Sequence, residues 1–273
     1  MSIAITALMC HAPVVIPPVG GPQSTGCATT TRSMTRVAER IVAARPDVVV
    51  VISPHAARAL DAWRVIDGGR IRGNFADFSA PTTKVDLPTA AAARSRLARL
   101  GAQYGTPTAP LPAIPLDQGA AVPLWFLQRA GWAGATLILA LPWREGTEAI
   151  MGEALRAASG NERWAIVASG DMSHKLRPGA PAGFHPRAEA FDQAVVAALR
   201  AGDLRAVAEV DPELRKLAAE DVVAPVTVAA GASAWRSDNA EVYSYEGPFG
   251  VGYCPAVLFA DRSLLTPMPA PRS

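Results

Sequence analysis

The sequence has little cysteine and no long apolar segment, and both features narrow the class of protein. Its cysteines, Cys10, Cys27 and Cys254, are odd in number and form no CxxC pair, so a disulfide framework is not expected. A reducing cytoplasm suits such a chain. No stretch of about eighteen uncharged apolar residues occurs, so no membrane span is predicted. The short apolar N-terminus has no basic residue before it and is expected to be a first strand rather than a signal peptide.

The charge balance and several missing motifs exclude other functions. The chain has 26 basic and 24 acidic residues, with no run of five like charges, so a nucleic-acid partner is not expected. It has no GxSxG nucleophile elbow, no P-loop lysine motif and no internal repeat. The spacing of Gly247, Gly250 and Gly252 differs from the dinucleotide-binding fingerprint and indicates a tight turn between strands.

The chain is long enough and apolar enough to build a sizeable core. Half of its 273 residues are apolar, which fits one large domain or two closely packed halves. Its 24 prolines and 22 glycines are spread along the sequence and indicate many ordered turns. We expect a single domain over residues 1–262, followed by a proline-rich tail over 263–273.

Strand patterns alternate with helix patterns along the sequence. Residues 3–9 and 47–53 are apolar runs typical of buried parallel strands, and a helix over about 29–44, capped by one of the threonines at 29–31, separates them. A hairpin is predicted over 63–75, with its turn at 67–69. Further strands are expected at 135–141, 164–169, 241–245 and 253–259, and further helices at 88–100, after 115, and at 145–158, 186–201, 212–219 and on to about 235. This order predicts an α/β fold with a mostly parallel central sheet and helices on both faces.

Three of the four histidines follow predicted strands. His11 and His55 each lie two residues beyond an apolar run, and His174 follows the later strand at 164–169. Loops at the carboxyl ends of parallel strands line the ligand crevice of such sheets, so these histidines are expected at one rim. His185 is interpreted as a surface histidine.

Two imidazoles and one carboxylate hold a metal while leaving a face of it open. That donor set suits Fe(II) in oxygenases and also catalytic zinc. The residues themselves leave four carboxylates as candidates, and the apolar run after Asp221 favours burial there. These candidates are Asp171, Glu220, Asp221 and Glu246.

Five segments occur in order along nearly the whole chain. They are HAP at 11–13, VVVVISPHA at 48–56, LDQGAAVPLWFL at 116–127, SGDMSH at 169–174 and YEGPFGVGY at 245–253. Taken together, they resemble the class III extradiol dioxygenases, the superfamily of the protocatechuate 4,5-dioxygenase catalytic subunit. The likeness is closest to the homologues found with the AmmeMemoRadiSam proteins.

The resemblance implies a cytoplasmic enzyme that uses Fe²⁺ and O₂ to open a catechol-type or aminophenol ring beside its hydroxyls. It assigns His11, His55 and Glu220 as metal ligands, with Asp221 as the alternative to Glu220. Zn²⁺ and Mn²⁺ are the alternative ions. It makes His174 the acid–base residue and places Asp171 and Glu246 in supporting positions. Partners would be a small aromatic substrate and O₂, with a homo-oligomer or a small partner subunit also expected.

One position departs from the family pattern. The usual motif is Leu-Asp-His-Gly, and here Gln118 replaces the histidine that faces the substrate. A glutamine can hydrogen-bond to a hydroxyl but cannot exchange a proton near neutral pH. Two alternatives therefore stay open, a zinc-dependent hydrolase and a metal-binding scaffold that has lost catalysis.

Overall fold

The computed structural model describes residues 3–112 and 115–261, and the expected tail at 263–273 lies outside the described residues. The strands are β1 (Ile3–Met9), β2 (Val48–Ser53), β3 (Trp63–Asp67), β4 (Arg70–Phe75), β5 (Ala80–Pro88), β6 (Thr108–Pro112), β7 (Ala135–Ala140), β8 (Trp164–Ser169), β9 (Glu241–Val242) and β10 (Ala256–Ala260). The α-helices are α1 (Pro17–Gly20), α2 (Ala28–Ala43), α3 (Ala91–Gln103), α4 (Gln118–Arg129), α5 (Glu148–Ser159), α6 (Ala188–Ala201), α7 (Leu204–Ala208), α8 (Pro212–Ala218) and α9 (Val223–Ala232). Short 3₁₀ segments occupy Pro13–Val15, Gly21–Cys27 and Ala76–Phe78.

The main sheet has the strand order β6-β3-β7-β2-β8-β1-β10-β9. Its centre is parallel, because β2 pairs in parallel with both β7 and β8, and β8 does so with β1. Antiparallel pairs flank this centre where β3 meets β7 and where β10 meets β1. The predicted α/β fold with a mostly parallel sheet is confirmed.

Alternate residues of β2 belong to two different cores. Val50 and Ile52 pack on one face with residues of α3, α5, α6 and α9. Val49 and Val51 pack on the other face with residues of α2 and α4. Helices therefore cover both faces, which explains why the strand is apolar throughout rather than alternating with polar residues.

The predicted hairpin at 63–75 is wrong. β3 pairs with β6 and β7 in the main sheet, whereas β4 pairs with β5 in a separate two-stranded sheet. Trp63 and Val65 of β3 are buried in one core, while Ile71 and Phe75 of β4 are buried in the other. A local turn signal could not reveal that β3 joins the main sheet while β4 pairs elsewhere.

The helices also differ from the prediction at two places that bear on the site. α2 begins at Ala28 without a side-chain cap, and Thr30 lies inside it, where its N–H and hydroxyl donate to Glu246 at 2.7 and 2.6 Å. The expected continuous helix to about residue 235 is broken, because Ala219 adopts a left-handed conformation (φ 53°) that ends α8. The turn between α8 and α9 carries Glu220 and Asp221.

The described residues contain neither a membrane-spanning helix nor a disulfide. No helix in 3–112 or 115–261 has the length and apolar character needed to cross a membrane. Cys10, Cys27 and Cys254 are all buried and unpaired.

Candidate metal centre

The carboxyl ends of three neighbouring strands bring the candidate residues to one edge of the sheet. β2, β8 and β1 are adjacent and parallel. His11 follows β1, His55 follows β2 and Asp171 follows β8, each by two residues. His11 is buried, and the His55 side chain is 37 % exposed, so the cluster has one open side. The common rim predicted for these two histidines is present.

Two imidazole nitrogens and one carboxylate oxygen form a nearly equilateral triangle. The Nε2 atoms of His11 and His55 are 3.0 Å apart. Oδ2 of Asp221 lies 3.3 Å from Nε2 of His11 and 3.2 Å from Nε2 of His55. Three donors bound to one ion at about 2.1 Å and at right angles would be about 3.0 Å apart, so the triangle fits a transition-metal ion. Within residues 3–112 and 115–261, His11, His55 and Asp221 form the group of three side chains close enough together to bind one metal ion.

The expected third carboxylate is corrected by the structure, because Asp221 and not Glu220 lies beside the histidines. The Glu220 side chain is only 2 % exposed and accepts a hydrogen bond from Nε of Arg215 at 2.7 Å. Its other oxygen accepts from the backbone N–H groups of Val222 and Val223 at 2.7 and 2.8 Å. Glu220 therefore holds the start of α9, where unpaired N–H groups favour a carboxylate.

A second aspartate holds Asp221 and His11 in place. The backbone N–H of Asp171 donates to Oδ1 of Asp221 at 2.7 Å, which leaves Oδ2 directed at the two histidines. Oδ1 of Asp171 accepts from the backbone N–H of His11 at 3.0 Å. Asp171 is buried, and its Oδ2 is 3.7 Å from Nε2 of His11, farther than Asp221. Asp171 therefore contacts the backbone of His11 and the side chain of Asp221 without belonging to the triangle.

The carboxylates strongly bias the protonation of His11. Burial lowers the pKa of this imidazole, but the negative charges of Asp171 and Asp221 outweigh burial and raise it to about 9. Burial likewise opposes the charge of Asp221, and the histidines around it reverse the effect and lower the pKa of its carboxyl. Burial raises the pKa of Asp171. The pocket therefore favours a positive charge at the triangle, which a proton on His11 or a metal ion can provide.

His174 lies near this cluster but outside the triangle. Its charge lowers the pKa values of Asp171 and Asp221, secondary to burial and to His11. Its backbone N–H donates to the carbonyl of Ala218 at 2.9 Å. Its Nδ1 is buried and has no hydrogen-bond partner among residues 3–112 and 115–261. No described protein group thus fixes which ring nitrogen carries the proton.

Gln118 is the first residue of α4, and its neighbours place it at the same edge of the sheet. Asp117 caps the helix by accepting from the N–H of Ala120 at 3.1 Å and also accepts from the hydroxyl of Ser53 at 2.6 Å. The carbonyl of Gly119 accepts from the hydroxyl of Ser169 at 2.5 Å. Ser53 and Ser169 end the strands that precede His55 and Asp171.

The other two candidates serve local structure. Glu246 accepts both hydrogen bonds from Thr30 and so ties the Gly-rich turn to α2. His185 accepts from the backbone N–H of Arg187 at 3.2 Å, just before α6. Neither belongs to the group of potential metal ligands in the described chain.

Sequence reasoning overlooked the serines at the ends of β2 and β8. Ser53 and Ser169 are fully buried, and both contact the first turn of α4. Each is the last residue of its strand, directly before a loop of the site. A polar residue that ends an otherwise apolar strand was the available signal.

The comparisons with known proteins agree with this architecture. The chain matches the family described as "Catalytic LigB subunit of aromatic ring-opening dioxygenase" over residues 5–256. It therefore belongs to this family, and the predicted superfamily is confirmed.

Two individual proteins show how far the likeness extends. The chain is 28 % identical over 267 residues to a Clostridium acetobutylicum protein called "Protein CA_C1420", covering 93 % of this chain and 57 % of that protein. The chain thus spans little more than half the length of that relative. The crystal structure of the uncharacterized protein JW3007 from Escherichia coli K12 shares the fold, with a TM-score of 0.57 at 17 % identity over 84 % of this chain and 91 % of that one.

Proposed function

We propose that this chain is an Fe²⁺-dependent dioxygenase that opens a catechol-type or aminophenol ring in the extradiol mode. The observation that carries the proposal is the triangle of His11, His55 and Asp221, with donor atoms 3.0 to 3.3 Å apart. Two imidazoles and one carboxylate on one face of an ion suit non-haem Fe²⁺ in oxygenases, where substrate and O₂ need the remaining positions. Membership of a ring-opening dioxygenase family supports the same chemistry.

The three donors would hold the metal through Nε2 of His11, Nε2 of His55 and Oδ2 of Asp221. When bound, Fe²⁺ would supply coordination positions for the substrate oxygens and O₂ and lower the pKa of a bound hydroxyl. Asp221 would contribute a single oxygen, because its Oδ1 already accepts from the N–H of Asp171. Asp171, through the His11 backbone and through Asp221, keeps the donor atoms in place.

His174 is the proposed proton acceptor and donor for the substrate. An imidazole can accept a proton from a substrate hydroxyl and return it later. Its Nδ1 lacks a partner in the described chain, which leaves the ring able to change its protonation state without breaking a protein hydrogen bond. His174 is thus assigned the proton transfers that the family pattern divides between two histidines.

Gln118 would orient the substrate without exchanging protons. Its amide can donate to a substrate oxygen and accept from a hydroxyl. The hydrogen bonds of Asp117 and Gly119 keep this part of α4 at the rim of the site. Loss of the second histidine leaves the acid–base work to one residue, so a single group should dominate the pH dependence of kcat.

Oxygen uptake tests the proposal directly. Protein loaded with Fe²⁺ under anaerobic conditions is mixed with a panel of catechols and aminophenols in an oxygen electrode, and ring-opened products are followed by their visible absorption. The matched controls are Zn²⁺-loaded protein and the variant Asp221→Asn. We expect O₂ consumption only with Fe²⁺ and the intact triangle.

Three results would contradict this function. Bound iron without turnover of any compound in the panel would favour a metal-binding scaffold. Hydrolysis by the Zn²⁺ form without O₂ would favour a hydrolase. Iron that stays bound at full affinity in Asp221→Asn would place the site elsewhere.

We also propose a cytoplasmic location and assembly with a second copy or a small partner subunit. The buried, unpaired cysteines are compatible with a reducing compartment. Light scattering of the purified chain would test the assembly, and a mass equal to one chain would contradict self-association.

A further inference from the structure

Ser169, the last residue of β8, connects His11 to the first turn of α4. Its side chain is fully buried. Its Oγ lies 3.1 Å from Nδ1 of His11 and 2.5 Å from the carbonyl oxygen of Gly119. Both distances are within hydrogen-bonding range. One hydroxyl therefore bridges a proposed metal ligand and a helix terminus.

The number of protons in this bridge fixes its direction. A carbonyl oxygen can only accept, and a serine hydroxyl has only one hydrogen, so Ser169 donates that hydrogen to Gly119. The same oxygen can then only accept from His11, which requires a proton on Nδ1 of the imidazole. In the neutral imidazole that binds a metal, Nε2, the nitrogen that faces His55 and Asp221, then keeps its lone pair for the ion.

We propose that Ser169 is a positioning residue that holds His11 in the tautomer and orientation needed for metal binding, with the Gly119 carbonyl setting the direction of the bridge. The inference rests on the metal site of the proposed function. The partner of the second ring nitrogen commonly fixes the tautomer and orientation of a ligating histidine and raises its basicity. In this chain that partner is a serine rather than a carboxylate.

Ser53 offers a comparison because it contacts the same helical turn but no imidazole. Its hydroxyl donates to Oδ1 of Asp117 at 2.6 Å and accepts from the backbone N–H groups of His55 and Ala56 at 3.2 and 3.3 Å. It therefore holds the backbone of the loop, whereas Ser169 acts on a ligand ring. The two serines should have different effects on the protonation of His11.

The absence of a side chain at Gly119 lets the first turn of α4 approach Ser53. A Cβ at this position would collide with the hydroxyl of Ser53 and the carboxylate of Asp117. Asp117 and Gly119 thus have positional roles that do not depend on the residue between them. The Leu-Asp-x-Gly frame of the motif serves the metal ligands even though Gln118 replaces the histidine.

Metal affinity tests the role of Ser169 without any catalytic turnover. Dissociation constants for Zn²⁺ are measured by competition with a chromogenic chelator for the unmodified chain, Ser169→Ala, Ser169→Thr and the control Ser159→Ala. Ser159 is also buried and donates to a backbone carbonyl, that of Arg156 at 2.6 Å, but it lies at the end of α5. We expect Zn²⁺ binding to weaken about 10- to 100-fold in Ser169→Ala, as for other partners of ligating histidines. Binding should recover with the hydroxyl of threonine and stay unchanged in Ser159→Ala.

A folded Ser169→Ala protein that binds Zn²⁺ as tightly as the unmodified chain would overturn the proposal, as would equal weakening in Ser159→Ala. If Ser169→Ala does not fold, ¹⁵N NMR of the unmodified Zn²⁺-loaded chain decides. The His11 ring should show a protonated Nδ1 and a metal-bound Nε2, and the reverse assignment would overturn the proposal. Neither measurement uses O₂ or a catechol, so a failed dioxygenase assay and a failed positioning role give separate results.

Discussion

Asp171 and Asp221 are joined by reciprocal hydrogen bonds. The N–H of Asp171 donates to Oδ1 of Asp221 at 2.7 Å, and the N–H of Asp221 donates to the carbonyl of Asp171 at 3.3 Å. The loop after β8 thereby holds the turn before α9 against the two histidines. This pairing helps to direct Asp221, rather than the adjacent Glu220, toward the two histidines.

Replacing Asp221 and Glu220, one at a time, by the corresponding neutral amide tests whether the two carboxylates have different roles. Asp221→Asn removes the anionic donor of the triangle, so we expect metal affinity to fall by more than about 100-fold, beyond the loss typical of a supporting residue. Fe²⁺ and Zn²⁺ retained after dialysis, quantified by mass spectrometry, check this.

Glu220→Gln is the matched variant one residue away. It should keep the metal but weaken the hydrogen bonds to Arg215 and to the start of α9, lowering the free energy of unfolding by roughly 1–3 kcal/mol. Chemical denaturation measures that change. Metal loss in Glu220→Gln with retention in Asp221→Asn would reverse the assignment.

Metal binding should depend on pH through His11. Its pKa in the metal-free site is raised to about 9, so the imidazole is protonated below that pH and a metal must displace the proton. The apparent Kd for Mn²⁺ is expected to fall roughly tenfold per unit as the pH rises from about 6 to about 8, and to level off near the raised pKa. A titration at each pH measures this slope.

The variant Asp171→Asn provides the control for that slope. Asp171 is the strongest of the charges that raise the pKa of His11, so removing it should move the plateau to lower pH. A plateau near 6.5 in the unmodified chain, the ordinary value for histidine, would contradict the predicted coupling.

His174→Ala should separate catalysis from metal binding. Removing a general acid–base group typically costs about 100- to 10,000-fold in rate, so kcat for ring opening is expected to fall by that amount with metal content unchanged. His185→Ala removes the histidine before α6 and should leave kcat unaffected. Equal activity in the two variants would remove His174 from the mechanism.

A methyl group at Gly119 should disturb the contact between α4 and the strand ends. Gly119→Ala places its Cβ against the Ser53 hydroxyl and the Asp117 carboxylate, and such overpacking costs about 1–3 kcal/mol of stability. Metal affinity should fall as well. Gly69→Ala, whose Cβ would meet open space, is the control. Thermal unfolding of both variants checks the difference, and equal melting temperatures would contradict it.

The parallel strands of the main sheet could be predicted from sequence because the pattern that indicates them is local. An apolar run such as Val48–Ser53 allows helices to pack on both faces of the strand. It can be recognised without knowing which strands lie beside it. The pairing of Trp63–Asp67 was not readable, because its partners at Thr108–Pro112 and Ala135–Ala140 are remote in the chain. The turn signal at Gly68 was present but did not decide the pairing.

The candidate metal site, like the fold, could be predicted from sequence only in part. The sequence by itself determined that His11 and His55 follow strands and that strand ends of such a sheet share an edge, because both properties depend on short patterns and on the general geometry of parallel sheets. Only the tertiary structure decided that Asp221 faces them while Glu220 turns to Arg215 and the N-terminus of α9. Adjacent residues in a turn point in different directions, and which one meets the histidines depends on the left-handed Ala219 and the bond to Asp171. These are three-dimensional contacts, so the order of residues alone could not distinguish the two carboxylates.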